Sequence, residues 1–441
     1  MASPSDEIRI PPSALLGDAK RLIIAFSGGL DSTVLLHAAA AQLPRHKLRA
    51  VHVNHGISPN SDHWQLHCEA VCRALGIPCD SFRVVVSASG KGLEEAAREA
   101  RYRCFTALAG RGDLLLMAHH QDDQMETVLL RLLRGAGPKG LAGMPESRQL
   151  GAGHLYRPFL HYRRDQLEAQ AHALRLSWVE DESNEGIAYD RNYLRREVLP
   201  ALATRWPDYR QRLARSAAQC ASADAALREQ AAEDLAALAP RGERVGASFE
   251  LAGFTALSGP RQEQLLRHWV ETLALAPLPH RLPATLARDL LAARQDAAPQ
   301  VAWPGGEFRR YRGRLYVLPL QGESRSESLA VTDITAPLSL PDGSTLRFVQ
   351  GRGAAAFRFR PAQRLEVRFR EGGERCQPAA RSASAPLKKI LQEYALEPWL
   401  RERLPLIYID GELAAAGDLF VCTGFACGPD EEGFVPHWGS G

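Results

Sequence analysis

The sequence predicts an α/β protein: a doubly wound parallel sheet, followed by a helical middle domain and a small α+β C-terminal domain. Three observations predict this fold class. Through residues 1–205, short apolar runs alternate with segments of helical length, as in parallel strands joined by crossover helices. Through residues 206–321, alanine and leucine recur with a period of about 3.6, which indicates amphipathic helices. From residue 329 to 441, strand-like alternation returns and basic residues accumulate, which indicates a further domain.

In the first domain, each element follows from the spacing of its apolar residues. Short apolar runs fit buried strands, and longer stretches with apolar residues three and four apart fit helices. Gly135–His154 is rich in glycine and predicts a long flexible loop, a kind of segment that is usually functional in compact domains. The predicted strands are Leu22–Phe26, Leu48–His55, Ser81–Val86 and Leu114–His119, and the predicted helices are the segment after Asp31, Ser61–Leu75, Gly92–Leu108, Asp122–Arg134 and Arg163–Leu176.

The remaining elements are less regular. Trp303–Leu318 predicts a glycine-turned hairpin at the end of the middle domain, and Gly322–Ser328 predicts a polar linker. The middle domain contains no recognisable group of catalytic side chains. Chemistry is therefore expected in the first domain.

Composition limits the class of protein. The chain has 441 residues, 45% of them hydrophobic and 24% charged, which is ordinary for a globular protein with two or three domains. No apolar run reaches the roughly 20 residues of a membrane span, and the N-terminal segment lacks the pattern of an export signal. We therefore expect a cytoplasmic protein without a membrane partner. The eight cysteines include no C-x-x-C pair, and Cys68 and Cys72, one helical turn apart, are expected to be buried apolar residues and not ligands.

The most informative motif is SGGLDS, Ser27–Ser32, directly after the first predicted strand. Its glycines allow a phosphate to approach the main chain, and the following helix directs its N–H groups toward an anion. The Asp31 carboxylate can hold Mg²⁺ against phosphates. The simpler alternative, an ordinary strand–turn–helix connection, accounts less well for this whole pattern. The motif lacks the G-x-x-x-x-G-K-[ST] spacing of kinase phosphate loops, which argues against transfer of the γ-phosphate.

A second polar cluster, HHQDDQMET, follows the fourth predicted strand at His119–Thr127. Asp123 and Glu126 are three residues apart and would share one face of a helix. Such a pair could fix a cationic substrate or a metal ion. Acidic residues that offset the helix dipole are the alternative, which is sufficient for Asp122 alone. Because polar clusters follow several parallel strands, we expect them to meet at one edge of the sheet.

Two groups of basic residues stand out. Arg191 and Arg195 are four residues apart and can act on the same side of a helix, although exposed helix charges explain them equally well. Arg352–Lys389 contains eight Arg and two Lys against three Glu, in a domain that also carries interspersed aromatic residues. This combination favours a nucleic-acid surface over a merely solvated face. The aromatic residues are Phe357, Phe359, Phe369, Tyr394 and Trp399.

Together these motifs resemble the tRNA(Ile)-lysidine synthetase family, whose members are N-type ATP pyrophosphatases with a PP-loop. The resemblance rests on SGGLDS, HVNHG, HHQDDQMET, RPFL, DESN to RNYLRR, REGGER, LKKILQE and PWLRERLPLIYIDGELAAAGDLFV. It covers roughly the first two hundred and the last hundred residues and is weak between them. The C-terminal stretch discriminates best, because SGGLDS occurs in many adenylating enzymes.

The resemblance implies a ligase that uses ATP and Mg²⁺. ATP would adenylate the C2 oxygen of the wobble cytidine in an isoleucine tRNA with a CAU anticodon, releasing pyrophosphate. An amine of free L-lysine would then attack C2 and release AMP. Residues 1–205 would form the catalytic PP-loop domain and residues 329–441 a tRNA-binding domain. A homodimer is left open, because the sequence does not give the oligomeric state.

The resemblance also implies residue roles. Asp123 and Glu126 would hold the lysine ammonium, and Arg191, with less support Arg195, would face anionic groups at the reaction centre. One departure is Ile57-Ser58 after HVNHG, where many members carry Leu-Arg, so a phosphate contact from that arginine is not carried over. The phosphates and Mg²⁺ would be held by Ser27, Gly28, Gly29, Leu30, Asp31 and Ser32, and the adenosine would lie near His52, Asn54 and Met117.

Three alternatives remain. A tRNA thiolase of the same loop class would generally use cysteine pairs or an iron–sulfur cluster, and the scattered cysteines argue against it. A glutamine-dependent synthetase is disfavoured because no glutaminase domain is visible. A non-catalytic nucleotide sensor would need neither the acidic pair nor the basic C-terminal domain. Pyrophosphate release that depends on added tRNA would separate these hypotheses.

Overall fold

The computed structural model describes residues 7–86, 93–180, 186, 189–286, 290, 299–320, 328–341 and 343–440. The chain divides into two compact units, Met1–Ala226 and Leu227–Gly441. Parts of three predicted segments lie outside the described residues: Gly92, residues 181–185, 187 and 188, and residues 322–327. Among the residues that are described, no helix is both long and apolar enough to cross a membrane.

The first unit is built on a six-stranded sheet. Its strands are β1 (Arg21–Ala25), β2 (Leu48–Asn54), β3 (Cys79–Arg83), β4 (Asp113–Leu116), β5 (Ser147–Leu150) and β6 (Gly153–Tyr156). Their order across the sheet is β3-β2-β1-β4-β6-β5. Neighbouring strands are parallel except β5, which pairs with β6 in the antiparallel sense. Leu22 of β1 lies in register with Leu48 of β2 and with Leu114 of β4.

Both faces of this sheet are buried, as the apolar strands predict. Leu22 and Ile24 lie in one core cluster, whereas Ile23 between them lies in a second cluster on the opposite face. The helices of the first unit are α1 (Ala14–Asp18), α2 (Leu30–Gln42), α3 (Ser61–Leu75), α4 (Leu93–Leu108), α5 (Gln121–Leu133), α6 (Pro138–Leu141), α7 (Arg164–Ala173), α8 (Asp190–Tyr193), α9 (Leu199–Arg205) and α10 (Tyr209–Ala237), whose last turns continue into the second unit. A π-helical turn, Leu194–Val198, joins α8 to α9.

The strand order fixes where a ligand can bind. The chain forms β2 and β3 on one side of β1 and then crosses to form β4 on the other side. This reversal opens a crevice between the carboxyl ends of β1 and β4, where doubly wound sheets bind ligands. The predicted doubly wound α/β fold is confirmed.

The prediction of a long flexible loop at Gly135–His154 is wrong. The segment contains α6, β5 and the start of β6, so half of it is regular structure. Its glycines serve tight turns and close contacts: a Cβ on Gly153 would lie 2.8 Å from the Asp113 carbonyl oxygen of the neighbouring strand. The sequence suggested a loop because two short strands joined by a glycine turn show little periodicity.

The middle part of the chain combines helices with a sheet. The predicted helices are present as α10, α11 (Leu251–Ala256), α12 (Gly259–Thr272) and α13 (Leu282–Leu286). They accompany a five-stranded antiparallel sheet that the alanine-rich composition did not predict beyond its hairpin. Its strands are β7 (Arg241–Gly242), β8 (Ala247–Glu250), β9 (Gln300–Trp303), β10 (Gly306–Tyr311) and β11 (Arg314–Leu318), in the order β7-β8-β11-β10-β9.

The middle sheet and its helices share a core of aromatic residues. Trp269 of α12 packs on Phe249 of β8 with ring centroids 4.4 Å apart, and Phe308 of β10 lies against Trp303 of β9 at 4.9 Å. The predicted hairpin at Trp303–Leu318 corresponds to β10 and β11. The extra strands are only two to four residues long, which is too short for a clear period of two.

The C-terminal part is α+β, as predicted. Its elements are β12 (Leu329–Ala330), β13 (Leu338–Ser339), β14 (Ser344–Arg352), β15 (Leu365–Arg368), β16 (Arg375–Cys376), β17 (Ala385–Pro386), α14 (Leu387–Glu393), β18 (Leu406–Ile409), β19 (Glu412–Ala416), β20 (Phe420–Val421) and β21 (Glu432–Ser440). They form antiparallel sheets ordered β12-β15-β18-β19-β20 and β13-β14-β21, with a small β16-β17 ladder. One core cluster includes buried residues from α14 and from both larger sheets.

Candidate active site

The Ser27–Gly29 turn joins the end of β1 to α2 and is shaped for a close approach to its backbone. Gly28 has φ +85°, and a Cβ there would lie 2.8 Å from Cys68 Sγ. The Ser32 and Thr33 hydroxyls each donate to the Gly29 carbonyl oxygen at 3.0 Å, which braces the turn. No side chain caps α2, whose N-cap is Gly29. In the part of the chain that the structure describes, the N-cap thus offers no side-chain acceptor to the first N–H groups of this 13-residue helix, an arrangement that suits an anion.

Asp31 lies in the first turn of α2 and has the properties of a metal ligand. Its Oδ1 is buried and accepts no hydrogen bond from any described residue, and its Oδ2 lies 3.7 Å from His120 Nε2. No group of three or more His, Cys, Asp or Glu within the described ranges could hold a metal ion by itself. A single available carboxylate fits Mg²⁺, which usually takes one or two carboxylates and completes its shell with phosphates and water.

His120 links the two predicted clusters, a role that the sequence did not indicate. Its side chain is only 2% exposed and lies between carboxylates, with Nε2 3.4 Å from Asp123 Oδ2 and 3.7 Å from Asp31 Oδ2. Burial alone would lower the pKa of His120, but the charges of Asp123 and Asp31 raise it above its usual value. The imidazole therefore joins Asp31 to the acidic pair on α5.

The acidic pair is itself held by an arginine. Arg195 Nε donates to Glu126 Oε1 at 2.7 Å, and Arg195 Nη2 lies 3.2 Å from Glu126 Oε2 and 3.4 Å from Asp123 Oδ1. Asp123 and Glu126 thus share one face of α5, in the arrangement their spacing suggested. Arg191 also reaches this face, because its Nη2 donates to Thr127 Oγ1 at 3.2 Å and its Nε lies 3.9 Å from Glu126 Oε2.

The pKa values of the two carboxylates are shifted in opposite directions. The Glu126 side chain is fully buried, and burial raises the pKa of Glu126 despite the opposing charge of Arg195. Burial also acts to raise the pKa of Asp123, but the charge of His120 and a hydrogen bond from the His120 backbone N–H keep it below its usual value. Asp123 is therefore the more firmly ionised member of the pair.

The residues proposed for the nucleoside lie on β2 and just after β4, the two strands that flank β1, and two of them are hydrogen-bonded within the protein. His52 of β2 is buried with Nδ1 3.0 Å from the Phe26 carbonyl oxygen, and burial lowers the pKa of His52. Asn54, at the end of β2, donates to Asp62 at 3.0 Å and accepts from the Gly56 N–H at 2.9 Å. Met117 directly follows β4.

The RPFL motif places Arg157 against His119, at the edge of the sheet where the other polar clusters lie. Arg157 is only 3% exposed and donates to the Pro145 carbonyl oxygen at 2.6 Å and to His119 Nδ1 at 3.3 Å. Burial, with a smaller contribution from the charge of Arg157, lowers the pKa of His119 to about 4. The adjacent His119 and His120 therefore have pKa values shifted in opposite directions.

The chain matches three family models. They are a PP-loop domain at residues 8–202, the TilS substrate binding domain at residues 249–316 and the TilS substrate C-terminal domain at residues 365–438. Curated relatives match over nearly the full length. The tRNA(Ile)-lysidine synthase of Alkalilimnicola ehrlichii is 43% identical over 94% of this chain and 93% of its own, and that of Serratia proteamaculans is 41% identical over 96% of each chain.

Solved structures resemble parts of the chain. The U34-tRNA thiolase NcsA from Methanococcus maripaludis, at 17% identity and a TM-score of 0.39, covers 46% of this chain and 73% of its own. A crystal structure of a TilS C-terminal domain, at 21% identity and a TM-score of 0.23, covers 26% of this chain and 98% of its own.

Proposed function

The chain belongs to the tRNA(Ile)-lysidine synthase family, and from that premise we propose that it joins free L-lysine to C2 of the wobble cytidine in the CAU-anticodon isoleucine tRNA. In the first step, the cytidine O2 attacks the α-phosphorus of ATP and pyrophosphate leaves. In the second step, a lysine amine attacks C2, loses a proton, and AMP leaves with the C2 oxygen. The products are lysidine, AMP and pyrophosphate.

One observation supports this proposal most strongly. The phosphate-loop carboxylate of Asp31 and the acidic pair on α5 lie next to each other, joined by His120 at 3.7 Å and 3.4 Å. A ligase of this kind needs an activated phosphate ester and a bound cation side by side. The crevice between β1 and β4 supplies both kinds of group.

The SGGLDS loop is the proposed site for the ATP phosphates. Asp31 would hold Mg²⁺, which neutralises phosphate charge as the phosphoryl bond changes. Leu30 is buried and fixes the start of α2, so its part in binding would come from its backbone. His52, Asn54 and Met117 lie at the same sheet edge and are proposed to line the adenosine site. The phosphate donors would be Ser27, Gly28, Gly29, Leu30 and Ser32.

Asp123 and Glu126 are the proposed site for a lysine ammonium group. Two carboxylates select a cationic amino acid over neutral ones of similar length through charge-assisted hydrogen bonds. While one nitrogen is held, the other can lose its proton and attack. Arg191, 25% exposed beside Glu126, is proposed to stabilise negative charge at the reaction centre.

The C-terminal domain is the proposed tRNA-binding part. Basic residues concentrate between Arg352 and Lys389, which overlaps the match to a substrate C-terminal domain at residues 365–438. The boundaries 1–205, 206–321 and 329–441 remain our proposal for the catalytic, middle and tRNA-binding domains. A cytoplasmic location and a homodimer also stay predictions.

Pyrophosphate release tests the first step of this function. The wild-type protein should release pyrophosphate from ATP only when the CAU-anticodon isoleucine tRNA is present, even without lysine. Asp31→Ala should abolish that release, because magnesium and the phosphates lose a carboxylate ligand. Mass spectrometry of the tRNA should detect lysidine only after lysine is added. Release that ignores tRNA, or that survives Asp31→Ala, would contradict the proposal.

A further inference from the structure

Arg195 occupies the position proposed for the substrate cation. A single nitrogen, Nη2, lies 3.2 Å from Glu126 Oε2 and 3.4 Å from Asp123 Oδ1, so it contacts both carboxylates at once. An ammonium group held by the same pair would need the same point. The Glu126 side chain is 0% exposed, whereas that of Arg195 is 33% exposed, so the guanidinium covers the carboxylate.

Charge favours a ligand ammonium that replaces Arg195 at the acidic pair over one that binds beside it. Asp123 and Glu126 already face two cations, Arg195 and, at 3.9 Å, Arg191. A further ammonium beside both arginines would add uncompensated positive charge to a partly desolvated site. A neutral amino acid that displaced Arg195 would instead remove the cation that contacts both carboxylates at once. Only a cationic ligand can replace the guanidinium without either penalty.

The Arg195 guanidinium also has a possible second binding partner near the SGGLDS loop. Arg195 contacts Asp123, and the His120 imidazole lies between the carboxylates of Asp123 and Asp31. The guanidinium is therefore separated from the SGGLDS loop by the His120 ring. Arg195 belongs to a π-helical turn, Leu194–Val198, a geometry that often marks functional segments. A bound nucleotide would bring anionic oxygens to the loop, and a guanidinium binds phosphate oxygens through two parallel hydrogen bonds.

We propose that Arg195 determines both specificity and order: it closes the acidic pair in the ligand-free protein, and nucleotide phosphates draw it away to admit the cationic amino acid. This inference rests on the proposed function. It makes the two substrates positively coupled, because each one stabilises the open position of the same side chain. A lysine site that opens after the nucleotide binds also fits an order in which adenylation precedes amine attack.

Calorimetry with L-lysine, with and without α,β-methylene-ATP, tests the coupling in the full-length protein. The analogue cannot be cleaved between its α- and β-phosphates. In the wild type, the analogue should tighten lysine binding by about fivefold to 150-fold, and lysine should tighten analogue binding by the same factor. Arg195→Ala should bind lysine tightly without nucleotide and gain nothing further when the analogue is added. Arg195→Gln, which removes the charge alone, should behave in the same way.

Arg210→Ala is the matched control. Arg210 is 35% exposed and bonds Asp122 at 2.7 Å, so it resembles Arg195 in burial and pairing but does not contact the acidic pair. This variant should keep the wild-type coupling, and L-norleucine should bind none of the proteins. Equal lysine affinities of the wild type with and without nucleotide, or weaker lysine binding after Arg195→Ala, would overturn the inference. If Glu126→Gln bound lysine as the wild type does, the proposed lysine site would fail instead.

Discussion

At the scale of single residues, the site contains buried carboxylates whose negative charges are compensated by neighbouring cationic side chains. Glu126 is fully buried and Asp123 is partly buried, and their charges are tolerated because Arg195, Arg191 and His120 surround them. Removing one member of such a group leaves its partner uncompensated, which costs more than the net contribution of the pair itself. Substitutions that keep shape and change only charge are therefore the most informative.

Glu126→Gln should raise the lysine requirement far more than the ATP requirement. Loss of a charge-assisted hydrogen bond costs roughly 1.5–3 kcal/mol, so the apparent dissociation constant for lysine should rise about tenfold to hundredfold. Asp123→Asn should act in the same direction. Its effect is harder to interpret, because Asp123 also accepts the His120 N–H at the start of α5.

The readout for Glu126→Gln is lysidine formation against lysine concentration, paired with pyrophosphate release in the absence of lysine. Adenylation should be nearly normal, because that step requires ATP, magnesium and the cytidine only. If adenylation fails while lysine still binds normally, Glu126 belongs to the nucleotide site and the proposed role is wrong.

His119 should make the protein less stable in acid. The pKa of His119 is lowered to about 4 in the folded protein, whereas an unfolded histidine titrates near 6.5. As the pH falls from about 6.5 toward 4, the unfolded state gains a proton that the folded state does not, so stability decreases by at most about 3 kcal/mol. His119→Gln keeps an acceptor for Arg157 and should flatten this dependence. Thermal unfolding of both proteins across the pH range measures the difference, and parallel curves would contradict the assignment.

At the scale of elements, the sequence predicted those helices and strands whose formation depends on residues close together in the chain. The predicted helix Ser61–Leu75 matches α3 at both ends, because a strong amphipathic pattern is sufficient there. The strands β5, β7 and β8 were missed, since two to four residues show no clear period and depend on a partner strand. SGGLDS and HHQDDQMET could be placed at one sheet edge from topology alone. The contacts of His120 and Arg195 with the acidic pair could not be predicted from topology, because they depend on which side chains are buried together.

The phosphate-loop turn should tolerate substitution at one glycine and not at the other. Gly28 has φ +85° and no room for a Cβ beside Cys68 Sγ, so Gly28→Ala should destabilise the protein by about 2 kcal/mol or more. At Gly29 the φ is −73°, and the nearest atoms to a new Cβ are 3.6 Å and 3.9 Å away. Gly29→Ala should therefore leave the melting temperature nearly unchanged. Similar melting temperatures for the two variants would contradict the strained geometry assigned to Gly28.

At the scale of the second unit, the C-terminal domain packs directly on the middle sheet. Trp399 lies with its ring centroid 4.9 Å from that of Tyr316 on β11, and Arg244 binds Asp418 at 2.7 Å. Cutting the chain near Leu329 would expose these contacts, and the remaining part could lose stability for reasons unrelated to tRNA. Single substitutions on the surface are therefore a better test of tRNA binding than a truncation.

Lys388 and Lys389 on α14 should contribute to tRNA binding more than paired arginines of the same domain. Both are exposed, and neither forms an ion pair with another described residue, so their charges are available to phosphates. Arg352 is also exposed, but it binds Glu432 at 2.6 Å and is the matched control. Lys388→Gln and Lys389→Gln should each weaken tRNA binding and lower the slope of log K against log salt by about one, because one fewer counterion is released. Arg352→Gln should change that slope less, since its charge is already neutralised. Filter binding across a salt series measures all three, and equal slopes for the wild type and the lysine variants would remove α14 from the tRNA-binding surface.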